Sequence, residues 1–386
     1  MKEKIVLVTA GGHISSFHAS MIEMCETIEE KAADRFEIFG AWGGLGGLIK
    51  GNLKKLYYGD LEENRAGSLF LSDREHLKKD QNKIGAIIDV VKRNNVYAIV
   101  MMGGDDHLKD ADDLHKSGIR VVGYPKTMDG DLSSLITLGW HTAVTIGANQ
   151  TRFHYNTAIT RKKIFYVGLF GRDTDWVPCA VSVYGGADRC IPCEKKYEWD
   201  FIWSKIEDSL KENKENYGVE FAVVNYSEGA KIDKILNPPG KISYDLAGNP
   251  KLQPEWTGME LVRLSEDKGK SAVFQAHTYE MRDCPPTETD KKLSRMAGKE
   301  CMEMILREDF GKSVIFVPDN HFYKTSRGEF EKVAVKRKVT GTGFFDYDKL
   351  RTKQDFVSFY GDLFKDSLGK PPEKQYLVYK NMLRQG

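Results

Sequence analysis

Short apolar runs alternate along the chain with stretches whose apolar residues recur every three or four positions. The runs at 5–9, 36–40, 96–102, 119–124, 164–170, 219–225 and 314–317 predict strands. Between them, 16–32 lines up Phe17, Met21, Cys25 and Ile28 on one helical face, and 75–91 lines up Ile84, Ile87, Ile88 and Val91. Both faces are simplest as core-facing surfaces. Strands alternating with helices predict an α/β fold, a mainly parallel sheet covered by crossover helices. Several runs end directly in Gly or Asp, and ligands of open α/β sheets collect outside the carboxyl ends of the strands. Function is therefore to be sought in those loops.

Length adds to this picture. Single cores rarely keep growing beyond about 250–300 residues, so 386 residues predict two Rossmann-like α/β lobes. The Pro- and Gly-rich stretch 237–254 reads as a surface excursion. The tail after about 325, with Phe344, Phe345, Tyr347 and Tyr360, has the composition of a segment packed on the body. With 57 basic and 56 acidic side chains the chain has no overall field to collect nucleic acid or anionic lipid, so any anion site must be local. The early apolar run from Ile5 to Val8 ends at Gly11-Gly12, too short for a signal core or a membrane span. A soluble, cytoplasmic protein without nucleic-acid or membrane partners is expected. Six cysteines over this length do not make a disulfide scaffold, and Cys190 and Cys193 lack a second ligand pair for zinc. They read as buried thiols.

Three strand-end loops carry candidate chemistry. Gly11 and Gly12 open a strand-to-helix turn, where backbone N–H groups and the helix end can hold an anion, or where glycine can merely allow tight packing. Gly103-Gly104-Asp105-Asp106 follows the run at 96–102, and its paired carboxylates suit a hard cation such as Mg²⁺ or a helix cap. Pro125-Lys126-Thr127-Met128-Asp129-Gly130-Asp131 delivers a cation for phosphate, a hydroxyl donor, and carboxylates for a metal or for general-base work.

The last two loops in combination resemble those of the phosphofructokinase family, which read Gly-Gly-Asp-Gly/Asp and Pro-Gly/Lys-Thr-Ile-Asp-x-Asp. The segment from Ala66 to Arg74 is similar to the family's Gly-Gly-Thr-x-Leu-Gly-Ser-x-Arg, and Phe170-Gly171-Arg172 to its Met-Gly-Arg. Ser227-Glu228-Gly229 resembles its acidic sugar-contact loop, and Tyr279-Glu280-Met281-Arg282 the Tyr-x-x-Arg of pyrophosphate-dependent members. The resemblance spans roughly 4–300.

It implies reversible phosphoryl transfer to the C1 hydroxyl of fructose 6-phosphate, with Mg²⁺ as cofactor. Asp129 would take the hydroxyl proton, Thr127 would bond the transferring phosphoryl group, Asp105 would hold the metal, and Asp131 would support it. Arg74 and Arg172 would neutralise the transferring phosphate, and Gly11, Gly12 and Gly104 would line the donor. Phe170, Gly171 and Glu228 would meet the sugar. Tyr279 and Arg282 would hold the 6-phosphate together with Lys163, which stands where the family has an arginine reaching in from a neighbouring subunit; a homodimer or homotetramer follows. The donor and metal lobe would comprise 1–143 with about 283–325, and the sugar-phosphate lobe 144–282 with about 326–386.

Donor choice rests on Asp106 and Lys126. A carboxylate at Asp106 would crowd and repel the α-phosphate of a nucleotide, and an ammonium at Lys126 can pair with pyrophosphate oxygens, so pyrophosphate is favoured. The chain also departs from the family. Gly-x-Asp-Thr-Ala becomes Gly139-Trp140-His141-Thr142-Ala143, His107 replaces a small hydroxyl residue, and Val273 replaces an expected arginine. ATP as donor, sedoheptulose 7-phosphate as acceptor, and a non-catalytic regulatory subunit or sensor are the rival readings.

Overall fold

The protein is described from a computed structural model that covers residues 2–235, 243–244, 251–320 and 322–372. Most of the run at 237–254 lies outside the described residues.

The chain opens with β1 (Glu3–Thr9), α1 (Phe17–Ala32), β2 (Phe36–Ala41), α2 (Gly44–Ile49) and β3 (Leu53–Lys55). Next come α3 (Gln81–Arg93), β4 (Val96–Gly103), α4 (Asp105–Lys116), β5 (Val121–Thr127) and β6 (Leu138–Gly139). Helix α5 (Trp140–Arg161) leads to β7 (Ile164–Leu169), α6 (Trp176–Gly185), β8 (Arg189–Ile191), β9 (Lys196–Tyr197) and α7 (Trp199–Tyr217). β10 (Ala222–Ser227), β11 (Lys231–Ile232), α8 (Pro254–Glu266), β12 (Ala272–His277) and α9 (Glu280–Asp283) follow. The chain continues through α10 (Glu288–Leu306), β13 (Lys312–Asp319), β14 (Phe322–Glu329), α11 (Phe330–Val333), β15 (Phe345–Asp346), β16 (Arg351–Thr352) and α12 (Gln354–Leu368).

Two compact units result, and among the described residues the chain passes between them at Thr142/Ala143, Ser243/Tyr244, Met281/Arg282 and Arg337/Lys338. Among the described residues the first unit holds a sheet in the order β14-β13-β5-β4-β1-β2-β3, with β6 beside β5. Its centre is parallel, and only the edge pairs β2–β3 and β13–β14 are antiparallel. Every residue of β4 and β5 is buried. That is why these segments read as continuous apolar runs: a parallel strand covered on both faces has no solvent side to alternate with. Ile84, Ile87 and Val90 of α3 and Leu108, Ala111 and Leu114 of α4 pack on one face of this core.

The second unit holds a fully parallel sheet in the order β12-β7-β10-β8. Trp199, Ile202, Trp203 and Ile206 of α7 bury an apolar face against it. The tail packs on this unit as its composition suggested: Phe345, Phe356, Tyr360 and Phe364 are buried, and Tyr360 meets Trp176 edge-on.

All seven expected strands are present, with shifted ends. β5 runs on to Thr127, so Lys126 and Thr127 sit in the strand and not in a loop. Helix α3 starts at Gln81, not at 75, because Asp80 caps it by accepting from Asn82 N, and Lys78 and Lys79 hold left-handed φ of 48° and 60°. β12 and β14 were not legible; both are edge strands whose exposed positions carry polar side chains. Because β14 pairs along its whole length with β13, residues 326–337, assigned above to the sugar lobe, belong to the first unit. No described helix is long and apolar enough to cross a membrane.

Candidate active site

In the first unit three chain segments converge at the carboxyl ends of adjacent strands β1, β4 and β5. The turn after β1 is fixed by a bridge between Ala10 and Asp73, with Gly11 N donating to Asp73 O at 2.7 Å. The Asp73 carboxylate accepts in turn from Leu45 N and Gly46 N. Arg74 is thereby tied to the Gly11-Gly12 turn through its chain neighbour.

Gly104 caps α4, so Asp105 and Asp106 stand in the helix's first turn, where the helix dipole favours negative charge. Asp105 is the more enclosed, at 17% exposed against 52% for Asp106. Lys109 Nζ bridges them, 3.4 Å from Asp105 and 3.1 Å from Asp106. Burial holds the Asp105 carboxyl above its usual range. For Asp106 burial acts in the same direction, but the Lys109 hydrogen bond and charge outweigh it and leave a net lowering.

Lys126 is buried, and its Nζ donates to Gly12 O at 2.5 Å, tying β5 to the first glycine turn. Burial, and next the Arg282 guanidinium, push its ammonium down to about 7. Thr127 Oγ1 accepts from Asp129 N at 3.1 Å, and Thr127 O accepts from Thr137 Oγ1. The Asp129–Asp131 turn is clamped from outside: Arg337 N donates to Asp131 O at 2.6 Å, and its guanidinium to Gly130 O at 2.7 Å. Gly130 has φ +72°, and a Cβ there would come 2.9 Å from Trp140 Nε1. No other residue fits that turn without strain. The Asp131 carboxyl is held well above its usual range, first by burial and then by Asp129.

The departures from the family pattern have a local account. Trp140 is a fully buried plug beneath Gly130. His141, where the family has an aspartate, bonds Thr287, and the buried Asp290 of α10 accepts from Gly139 N, Thr142 N and Thr142 Oγ1.

In the second unit Phe170-Gly171-Arg172, Ser227-Glu228-Gly229 and Tyr279 follow β7, β10 and β12, three adjacent strands, at one end of the sheet. The first two segments interlock. Ser227 Oγ and Gly229 N both donate to Gly171 O, and Glu228 N donates to Leu169 O. Gly171 has φ +151°, and a Cβ on it would lie 2.3 Å from Ser227 Oγ. Phe170 is buried and meets the exposed Tyr279 ring edge-on at 6.2 Å.

Lys163 and Arg282, expected beside Tyr279, lie elsewhere. Lys163 precedes β7, at the far end of the sheet from Phe170; six residues of strand span about 20 Å. Val273 pairs with Phe165 at that same far end. Arg282 belongs to the first unit, and its guanidinium faces Gly12, where a Cβ would sit 3.0 Å from it. The sequence reading missed Lys336, whose Nζ lies 3.9 Å from Asp105 Oδ2 and whose charge also reaches Asp131. It missed Arg337 and Asp290 as well. None of the three sits in a motif; each comes from a segment remote in sequence. Cys190 and Cys193 are buried free thiols.

The comparisons agree with this architecture. The phosphofructokinase family profile matches residues 4–305. An ATP-dependent 6-phosphofructokinase 2 of Clostridium perfringens is 29% identical over 249 residues, which cover 59% of this chain and 65% of that relative, just under two thirds of its length. One from Streptomyces coelicolor is 27% identical, covering 80% of this chain and 89% of the relative. A pyrophosphate–fructose 6-phosphate 1-phosphotransferase of Thermoproteus tenax is 25% identical, covering 81% and 89%. Among solved structures, a pyrophosphate-dependent phosphofructokinase from Marinobacter aquaeolei superposes with a TM-score of 0.76 at 17% identity, covering 97% of this chain and 94% of that one. With a family match over most of its length and the same α/β fold, the chain belongs to the phosphofructokinase family.

Proposed function

We propose that this chain transfers a phosphoryl group from pyrophosphate to the C1 hydroxyl of fructose 6-phosphate. The observation that carries the reading is the convergence, at the ends of β4 and β5, of Asp105, Asp129 and Asp131 beside a buried Lys126 and Arg282. Carboxylates for a metal and a base stand next to cations for a phosphate donor, which is what in-line phosphoryl transfer by positioning and charge neutralisation requires.

Asp129 is the base, on a turn that Gly130 and Arg337 hold rigid. Thr127, whose hydroxyl already orders that turn, is within the same strand end to bond the phosphoryl group. Mg²⁺ fits the set: Asp105 and Asp131 are hard oxygen donors whose carboxyls are raised by burial and by neighbouring acids, so positive charge is wanted there. When bound, Mg²⁺ would neutralise charge on the transferring phosphate. Lys336 adds a protein cation to the same acids.

Gly11, Gly12, Gly104 and Lys126 receive the pyrophosphate, with Arg74 and Arg282 adding charge at that end. Arg282, assigned by resemblance to the sugar phosphate, thus also serves the donor side. Phe170, Gly171, Arg172, Glu228 and Tyr279 form the acceptor edge of the second unit. Lys163 serves the 6-phosphate of a neighbouring subunit. Asp106 excludes the nucleotide, though its pairing with Lys109 and its exposure moderate the repulsion.

ATP remains the second reading, because relatives of both donor types are about equally similar. The test is a grid on the purified chain with Mg²⁺: pyrophosphate and ATP, each against fructose 6-phosphate and sedoheptulose 7-phosphate. Highest kcat/KM with pyrophosphate and fructose 6-phosphate is expected, and Asp106→Gly should raise ATP use by about tenfold, a change of about 1.4 kcal/mol in the discrimination. Preference of the wild-type chain for ATP would overturn the donor assignment, and preference for the longer sugar the acceptor.

A further inference from the structure

His107 lies on the first turn of α4, and its side chain packs behind Gly103 and Gly11: a Cβ on Gly103 would come 2.4 Å from it, and one on Gly11 3.5 Å. Asp110 stands one turn further along the same helix face. Both are buried. The segment after Arg74 crosses them and brings His76 in, with its ring centroid 4.2 Å from that of His107 and its Nδ1 3.1 Å from Asp110 Oδ2. The second Asp110 oxygen accepts from Leu77 N at 3.1 Å, which fixes the carboxylate with Oδ2 directed at the imidazoles. His107 Nε2 lies 3.2 Å from Glu75 O.

One ligand atom from each of His76, His107 and Asp110 lies within 4.8 Å of the others. We infer that these three side chains form a site for a borderline divalent cation of the Zn²⁺ type, separate from the Mg²⁺ set at Asp105. The 3.1 Å between His76 and Asp110 is close to the roughly 3.3 Å edge of a tetrahedron with metal–ligand bonds of about 2.0 Å. Two imidazole nitrogens with one carboxylate select zinc-like ions over Mg²⁺, which takes oxygen. A plain His–Asp pair accounts for His76 and Asp110 but gives no reason for a second imidazole against the first. Occupancy would pin the segment following Arg74 to the helix that presents Asp105 and Asp106. The ion would therefore stiffen the donor loops without touching the reacting atoms.

The test uses the full chain, stripped of metal and titrated with ZnCl₂ against a chromogenic chelator in excess Mg²⁺. One equivalent should bind, and melting should move upward with free zinc as mass action requires. Asp110→Asn and His107→Gln should each weaken binding by at least about tenfold, while Cys190→Ser/Cys193→Ser should leave it unchanged. Co²⁺ should give ligand-field bands that disappear in His76→Phe, a readout that remains if one of the other variants does not fold. No stoichiometric zinc in folded wild-type chain, or zinc binding indifferent to the substitutions at 76, 107 and 110, would overturn the site. Neither result depends on which donor or sugar the enzyme uses.

Discussion

Burial holds the Lys126 ammonium near the point of losing its proton at neutral pH, with Arg282 and Arg74 adding to the effect and Asp129 opposing it. A bound pyrophosphate would restore the charge. Above about pH 7, donor binding must then take up a proton, and KM for pyrophosphate should rise by up to about tenfold per pH unit, a dependence that Lys126→Met removes. Stability moves the opposite way with pH: the folded value of Lys126 lies below the unfolded one, so the unfolded chain holds more protons between the two. This group's contribution is therefore least favourable below about pH 7 and improves toward the ordinary lysine range. A melting series against pH for the wild-type and Lys126→Met chains checks it. At Asp129, exchange for Asn should slow kcat by about 10²–10⁴-fold while sugar-phosphate binding, measured calorimetrically, stays near wild type. Near wild-type turnover would remove Asp129 from the base role.

Among the elements, α10 holds the entrance of α5 in place. Asp290 is fully buried and accepts from three donors of the segment Gly139–Thr142, and Thr287 caps its own helix while meeting His141. Asp290→Ala would leave those donors buried without an acceptor, so a loss of about 2–4 kcal/mol is expected in urea unfolding of the chain. Asp290→Asn should cost less, because one amide oxygen can still accept. Loss of activity with unchanged stability would show that the carboxylate acts in the chemistry and not as a brace. Strands buried on both faces, such as β4 and β5, were legible as continuous apolar runs; β12 and β14 were not, because an edge strand shows solvent part of its length and loses that signature. Helix α3 was read too long for a related reason: its apolar spacing extends beyond the point where Asp80 caps it.

For the whole molecule the position of Lys163 is the decisive feature. It stands about 20 Å from Phe170 along the sheet of its own unit, too far to share a ligand with the Phe170, Glu228 and Tyr279 end. If it serves the 6-phosphate, it does so in a second copy of the chain, so Lys163→Ala and Asp129→Asn should each be poorly active alone. Mixed after mild dissociation and reassembly, they should recover activity, because some sites then draw both residues from intact partners. No recovery in a demonstrably mixed oligomer would confine each site to one subunit.

The sequence by itself determined the alternation of strands and helices, the family, and the two strand-end motifs that carry Asp105, Asp106, Lys126, Thr127, Asp129 and Asp131. Those signals are local, since strand burial and strand-end loops are written in contiguous residues. Only the tertiary structure decided what surrounds them. Lys336, Arg337 and Asp290 reach the acids and the turns from segments distant in the chain, Trp140 fills the space beneath Gly130, and His76 meets His107 and Asp110 across a crossover. The physical reason is that charge and packing act through space: a pKa, a clamp or a ligand set depends on distances of a few ångströms, which spacing along the chain does not encode.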